Sequence, residues 1–252
     1  VGSRRRSTTV VELCVAVVTE RTPLGRTFRG LCSHYLADAG TGRRVKMWIR
    51  PGSFHDLPME LNASPRGVFE TPVLYIGAGT GIAPLRGMIR EREFVRRRYR
   101  RRRRRGLNED RLGSGDDEKE RDDDDDDGGY CDQILLFGCR KQTEDYLYHT
   151  EWKSMLNDVN NSFKLLTAFS QDQNYKIYVQ TVLSRDDNAV FLAKHVLERG
   201  GAVYIAGGKK MAKAVREEIV EVLGRFLDGG ENQAKLILKR WQRRGLFRVE
   251  AW

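Results

Sequence analysis

From residue 71 onward the chain alternates short apolar runs with amphipathic stretches, and that alternation leaves few folds open. Val73-Leu74-Tyr75-Ile76, Ile134-Leu135-Leu136-Phe137 and residues 163–168 and 202–206 are short and apolar enough to be buried strands. Helical patterns lie between them at 83–94, 143–156, 188–199 and 210–227, with a further helix at 232–243 and a last strand at 246–250. Strand–helix–strand units of this kind predict an α/β domain built on a mostly parallel sheet. Upstream, residues 10–19 and 45–50 read as strands and 30–37 as a short helix. Pro51-Gly52, Pro58 and Pro65-Arg66-Gly67 then interrupt regular structure, which divides the chain into domains at 1–67 and 68–252.

One segment breaks the pattern. Nine of the ten residues 96–105 are Arg, and residues 116–127 hold ten Asp or Glu. Such blocks carry too little apolar surface to fold, so 95–130 is expected to be a disordered charged insertion. Its opposite charges balance, which leaves the net charge of +10 on the folded remainder. An Arg-rich arm for RNA or an acidic partner is the alternative reading of the run. The four cysteines form no C-x-x-C pair and no cluster with His, so no metal site or disulfide framework is expected and reduced thiols suit the cytoplasm. No apolar run approaches the ~20 residues of a membrane helix.

The chemistry-bearing motifs sit at strand ends. Ile76-Gly77-Ala78-Gly79-Thr80-Gly81-Ile82-Ala83-Pro84 follows a strand and opens a helix, with Pro84 in the first helical turn. Glycines there allow close backbone approach, and a helix start favours a pyrophosphate; a purely structural turn fits the same residues. No G-x-x-x-x-G-K-[ST] is present, which disfavours a P-loop. Leu136-Phe137-Gly138-Cys139-Arg140 places a charge at the second strand end, and Ala168-Phe169-Ser170-Gln171 and Lys176-Ile177-Tyr178-Val179-Gln180 follow the third. Ligands of open parallel sheets bind at these carboxyl ends.

In this order the motifs G-x-G-T-G-x-A-P, F-G-C-R, D-Y-L-Y-x-x-E-W (residues 145–152), A-F-S and K-x-Y-V-Q resemble the nucleotide domain of the diflavin reductases, within the ferredoxin–NADP reductase superfamily. The resemblance implies an NADPH-dependent flavin oxidoreductase whose nucleotide domain follows a partial β-barrel FAD domain. It implies NADP contacts from Gly77, Gly79, Thr80, Gly81, Cys139 and Arg140. The adenosine 2′-phosphate end falls to Ser170, Gln171, Lys176, Ile177, Tyr178, Val179 and Gln180. Upstream, Arg29-Gly30-Leu31-Cys32-Ser33 resembles the family's second flavin motif, which implies FAD contacts from Gly30, Leu31, Cys32 and Ser33; without the family it reads as an ordinary helix start. The terminal Phe247-Arg248-Val249-Glu250-Ala251-Trp252 resembles the strand whose aromatic covers the flavin, which gives Glu250 and Trp252 catalytic roles.

Within the family, R-G-L-C-S, W-I-R-P-G-S and a terminal Glu-x-Trp favour the cytoplasmic branch that serves iron–sulfur cluster assembly. That branch implies FMN in a further, upstream domain and electron transfer to an iron–sulfur protein of anamorsin type. The microsomal cytochrome reductases are the alternative within the family; a non-catalytic nucleotide module or an RNA-associated protein are alternatives outside it. Departures are visible too. Gln171 stands where the family carries Arg, residues 206–211 hold no Cys, and residues 1–9 lack the R-x-[YF]-S flavin motif. The chain is therefore expected to be the C-terminal piece of a longer reductase.

Overall fold

The computed structural model describes residues 10–111, 131–158 and 162–252. The chain falls into two compact units, Val1–Pro51 and Gly52–Trp252. In the first, β1 (Thr19–Arg21) and β2 (Thr27–Arg29) form an antiparallel hairpin followed by α1 (Leu31–Ala37). Residues 10–18 and 45–50, both expected to be strands, are not regular structure. Strands need a ladder partner, and neither run has one among the described residues. The expected partial barrel is therefore represented by a two-stranded hairpin.

The second unit is the predicted α/β domain. Its strands are β3 (Val73–Ala78), β4 (Gln133–Cys139), β5 (Phe163–Phe169), β6 (Ala202–Gly207) and β7 (Phe247–Ala251), all parallel, in the order β5-β4-β3-β6-β7. Every residue of β4 and β6 is buried, as expected for strands covered on both faces. The period of two then sorts side chains between two cores. Leu74, Ile76, Leu136 and Ile205 face α4 (Val179–Leu183), α5 (Asp186–Ala193), α6 (Lys209–Gly224) and α7 (Gly230–Arg243). Val73, Tyr75, Phe137 and Tyr204 face α2 (Ile82–Arg111) and α3 (His149–Asn157).

The helix α2 corrects the sequence reading most. Residues 95–111, expected to lie in a disordered insertion, continue the helix. Four arginines spaced along one face meet backbone carbonyls of residues 58–71, Arg92 and Arg96 from buried positions. Arg92 donates to Pro58 and Thr71, Arg96 to Gly67, Arg100 to Arg66 and Arg103 to Ala63, at 2.6–3.2 Å. Arg96 is fully buried and its Nη2 lies 2.6 Å from Asp132 Oδ2. The guanidinium of Arg92 lies 3.8 Å from the ring centroid of Phe69. Counting charge treats every arginine as solvated, whereas Arg92 and Arg96 satisfy carbonyls in the buried part of this contact and Arg100 and Arg103 continue it at the surface. Residues 112–130, including the acidic run, lie outside the described residues.

The same contacts move the domain boundary. Residues 52–67, assigned by sequence to the upstream domain, pack with the second unit. Phe54 meets Tyr204 edge-on at 5.4 Å, and the arginines of α2 hold the rest.

Candidate functional site

The strand order reverses between β3 and β6: the chain leaves β3 for β4 and β5, then returns to β3's other side. In such sheets the crevice at the reversal is where ligands bind. The glycine-rich motif occupies that point, with Gly79–Gly81 forming a single 3-10 turn between β3 and α2. Gly81 lies so close to β6 that a Cβ would stand 2.1 Å from the Ala206 carbonyl oxygen. Only glycine permits this approach. Gly79 has φ +56°, and a Cβ there, or at Gly208 across the crevice, would meet nothing within 4 Å. The crevice thus has a closed floor at Gly81 and open space on both lips, a cradle that fits the pyrophosphate of a dinucleotide. Gly77 serves packing instead, since its Cβ would strike Leu85. Sequence reading passed over Gly207 and Gly208; the available signal was a Gly-Gly-Lys-Lys run directly after an apolar strand.

The ends of β4 and β5 lie side by side. Ser170 and Gln171 donate their backbone N–H groups to the carbonyls of Cys139 and Arg140 at 3.0 and 2.8 Å. Gln173 Nε2 ties the following loop to Phe169 and Tyr175, both at 2.7 Å. Gln171, Lys176 and Tyr178 are exposed on this surface, with Ser170 and Gln180 half-buried beside them. Val179 is buried against Gly138, and Ile177 is packed into the core, so these two position the loop. Cys139 is buried and its thiol is pushed up to about 12, chiefly by desolvation and then by the nearby carboxylates. It stays a neutral thiol. Arg140 is exposed and pairs with Asp145 at 3.3 Å.

Asp145 explains much of the residue 145–152 motif. Its carboxylate accepts the N–H groups of Arg140 and Lys141 at 3.1 and 2.7 Å. Partial burial pushes its pKa up, but these hydrogen bonds outweigh burial and hold the carboxyl below its ordinary value. Tyr146 stacks on Phe137, Tyr148 lies under the Arg86 guanidinium, and Glu151 pairs with Arg86 at 2.6 Å. Trp152 is fully buried. The motif is a scaffold that fixes the β4 end against α2.

At the sheet's other edge, β7 pairs with β6 so that Glu250 lies opposite Ala206. Trp252 N–H donates to the Gly207 carbonyl at 3.3 Å, and Lys209 N–H donates to the Trp252 carbonyl at 3.2 Å. The backbone of Trp252 is therefore clasped beside the glycine crevice, while the residue as a whole is 56% exposed. Glu250 is half-buried and lines a cleft of about 480 Å³ with Phe54, Leu57 and Met88 and the titratable His55, Asp56 and Glu91. Gly52 faces the carboxylate, since a Cβ there would be 3.2 Å from both oxygens.

In the first unit, Gly30 caps α1, with Leu31 and Cys32 exposed and Ser33 buried. The Ser33 hydroxyl accepts the Val18 N–H and donates to the Gly30 carbonyl, both at 3.1 Å. It is already engaged in holding the turn.

A family profile described as the oxidoreductase NAD-binding domain matches residues 75–217. The chain is 29% identical over 247 residues to NADPH-dependent diflavin oxidoreductase 1 of Emericella nidulans, which covers 96% of this chain and 33% of that protein. It is 32% identical over 248 residues to the protein of the same name from Xenopus laevis, covering 96% and 33%. Similarity to the NADPH–cytochrome P450 reductase of Musca domestica is equally extensive, at 30% over 250 residues, covering 97% and 31%. The chain spans about a third of the length of the curated relatives it matches. Residues 75–217 hold the sheet, the glycine crevice and the β4–β5 surface, and the chain belongs to the oxidoreductase NAD-binding domain family, in its diflavin-reductase branch.

Proposed function

We propose that this domain binds NADP(H) across the ends of β3, β4 and β5 and delivers hydride from it to FAD. The observation that carries the reading is the crevice at the sheet reversal, closed by Gly81 on Ala206 and open above Gly79 and Gly208. The pyrophosphate sits there, beside the Thr80 hydroxyl. The adenosine end lies on the exposed surface of Ser170, Lys176, Tyr178 and Gln180, with Arg140 at its margin and Cys139 buried beneath. Lys176 supplies the charge for a 2′-phosphate and Gln171 adds a neutral donor, so preference for NADPH over NADH is reduced rather than lost.

When bound, the nicotinamide supplies the hydride and the flavin accepts it; both belong to the cofactors. The chain's own residues orient the rings and exclude water. Trp252, held by its backbone at Gly207, covers the place of the nicotinamide with its indole and yields it when nucleotide binds. Glu250, half-buried in a cleft that also holds His55, Asp56 and Glu91, would balance the positive charge on the nicotinamide ring. In the N-terminal unit, the start of α1 at Gly30–Cys32 receives the FAD pyrophosphate, and Ser33 keeps that turn in shape.

The FMN domain and the acceptor, an iron–sulfur protein of anamorsin type, complete the reading. Its support is the R-G-L-C-S and Glu-x-Trp sequence details and the similarity to proteins named diflavin oxidoreductase 1. Cytoplasmic placement accompanies it; among the described residues no helix is long and apolar enough to cross a membrane. The comparable similarity to NADPH–cytochrome P450 reductases favours a second reading, a cytochrome-reducing enzyme. The test is NADPH-driven ferricyanide reduction by FAD-reconstituted protein. Glu250→Gln is expected to lower kcat at least tenfold with KM for NADPH within about twofold. An unchanged kcat would remove Glu250 from the reaction.

A further inference from the structure

A second cleft of about 480 Å³ opens at the β7 edge, between the first half of α6 and the end of α7. Its floor is apolar, formed by Ala212, Phe247 and Val249, and its rim carries Lys213, Arg216 and Arg248. Ser53 and Gln242 add two neutral polar groups, and among the described residues no carboxylate lines it. None of these residues belongs to the nucleotide surface or to the Glu250–Trp252 pair.

The three cations differ in how far they are already satisfied. Arg248 Nη2 lies 3.3 Å from His55 Nδ1 and 3.8 Å from Asp56, while its Nε is buried with no hydrogen-bond partner among the described residues. Lys213 is exposed and lies 3.8 Å from Glu217 on the same helix, a weak, solvent-screened pair. The Arg216 guanidinium lies 5.9 Å from the Phe247 ring centroid and, among the described residues, donates only a 3.4 Å hydrogen bond, to the amide oxygen of Gln242. A guanidinium near an aromatic floor beside a lysine, with five donor side chains lining one cleft, is chemistry suited to a tetrahedral oxyanion on an apolar body. A carboxylate would offer two oxygens to these donors; a phosphate monoester offers three.

We propose that this cleft binds a small organic phosphate, its phosphate between Arg216 and Lys213 and its apolar body on Phe247 and Val249. The volume lies in the range of small-ligand sites of roughly 300–1,000 Å³. Because the cleft shares no residue with the nucleotide surface, both ligands are accommodated together.

The probe is phenyl phosphate, titrated calorimetrically into the chain with and without saturating NADP⁺. The expected result is one saturable site, unaffected by NADP⁺, with phenol and inorganic phosphate each at least tenfold weaker. Arg216→Gln is expected to weaken phenyl phosphate at least tenfold, and Lys213→Gln severalfold. Lys176→Ala, on the nucleotide surface, leaves it unchanged. Thermal melts check that each variant is folded, and the exposed Lys213 provides a test should Arg216→Gln unfold. Competition with NADP⁺, indifference to both substitutions or a non-saturating heat would overturn the proposal. So would tighter binding of a glutamate-rich peptide, which would make the cleft a protein-docking surface. Failure of NADP⁺ to bind would count against the nucleotide reading alone, because the phenyl phosphate titration stands without it.

Discussion

The two units of this chain are written in the same apolar, β-branched vocabulary and use it differently. In the second unit Val73, Ile76, Leu136, Val203 and Ile205 are wholly buried in a five-stranded sheet. In the first, Val10, Leu13, Val17, Trp48 and Ile49 are exposed, and regular strands are limited to three residues each. The difference lies in what surrounds each run. The inner strands of the second unit, β4, β3 and β6, have a neighbour on each side and helices on both faces, so they bury almost every side chain. The first unit's runs have no such company among the described residues. Strand-forming sequence states a capacity, and tertiary partners decide whether it is used.

That contrast predicts where the molecule breaks. The largest effect is expected at Arg96, which is fully buried against Asp132. Arg96→Ala strands a buried carboxylate and is expected to cost about 3–5 kcal/mol of unfolding free energy. Arg98→Ala, two residues along on the exposed face, is expected to cost less than about 0.5 kcal/mol. Urea unfolding of both variants measures the pair; equal losses would return the arginine run to the solvated segment expected from sequence.

Next in size is a pH effect confined to the second unit. His195 is buried beside the Ala202 carbonyl, and desolvation pushes its pKa down to about 4 from 6.5. Its folded pKa is depressed, so between about pH 6.5 and 4 the unfolded chain binds the extra proton and stability falls as pH falls. The full contribution is about 3 kcal/mol, present above pH 6.5 and lost on descending to about pH 4. His195→Gln should flatten that part of the stability profile. An unchanged slope would mean that His195 does not titrate in the window.

A smaller effect comes from the first unit. Val15→Ala is expected to change stability by less than about 0.5 kcal/mol, as for an exposed position, whereas Val203→Ala is expected to cost about 1–3 kcal/mol. A large cost at Val15 would show that the first unit has a core of its own. Thiol labelling gives the finest comparison. Cys32 is exposed and Cys139 is buried with its thiol pushed up to about 12, so maleimide should modify Cys32 faster by on the order of a hundredfold.

The same contrast explains what the sequence made legible. β3, β4 and β6 were readable because burial on both faces leaves continuous apolar runs, and the edge strands β5 and β7 because each follows a helical pattern with a partly apolar run. The crevice was readable because Gly81 tolerates no side chain against Ala206. The runs at 10–18 and 45–50 misled because pairing is not a local property. The arginine run misled because the contacts of Arg96, Arg100 and Arg103 depend on carbonyls some 30–40 residues away. The boundary at Pro51, rather than residue 67, follows from the same arginines. The start of α3 at His149, later than expected, follows from Asp145 holding the loop and from Tyr148 at φ +60° leading into the helix.

The central claim is that one nucleotide lies across the sheet reversal and the adjoining strand ends. An amide NMR titration of the chain with NADP⁺ tests it most directly. The account predicts a single saturable set of shifts at Gly79–Gly81, Gly207–Gly208 and residues 170–180, with the residues around Lys213 and Arg216 unmoved. Shifts centred on Arg216 and Phe247, or none at the glycine turn, would contradict it.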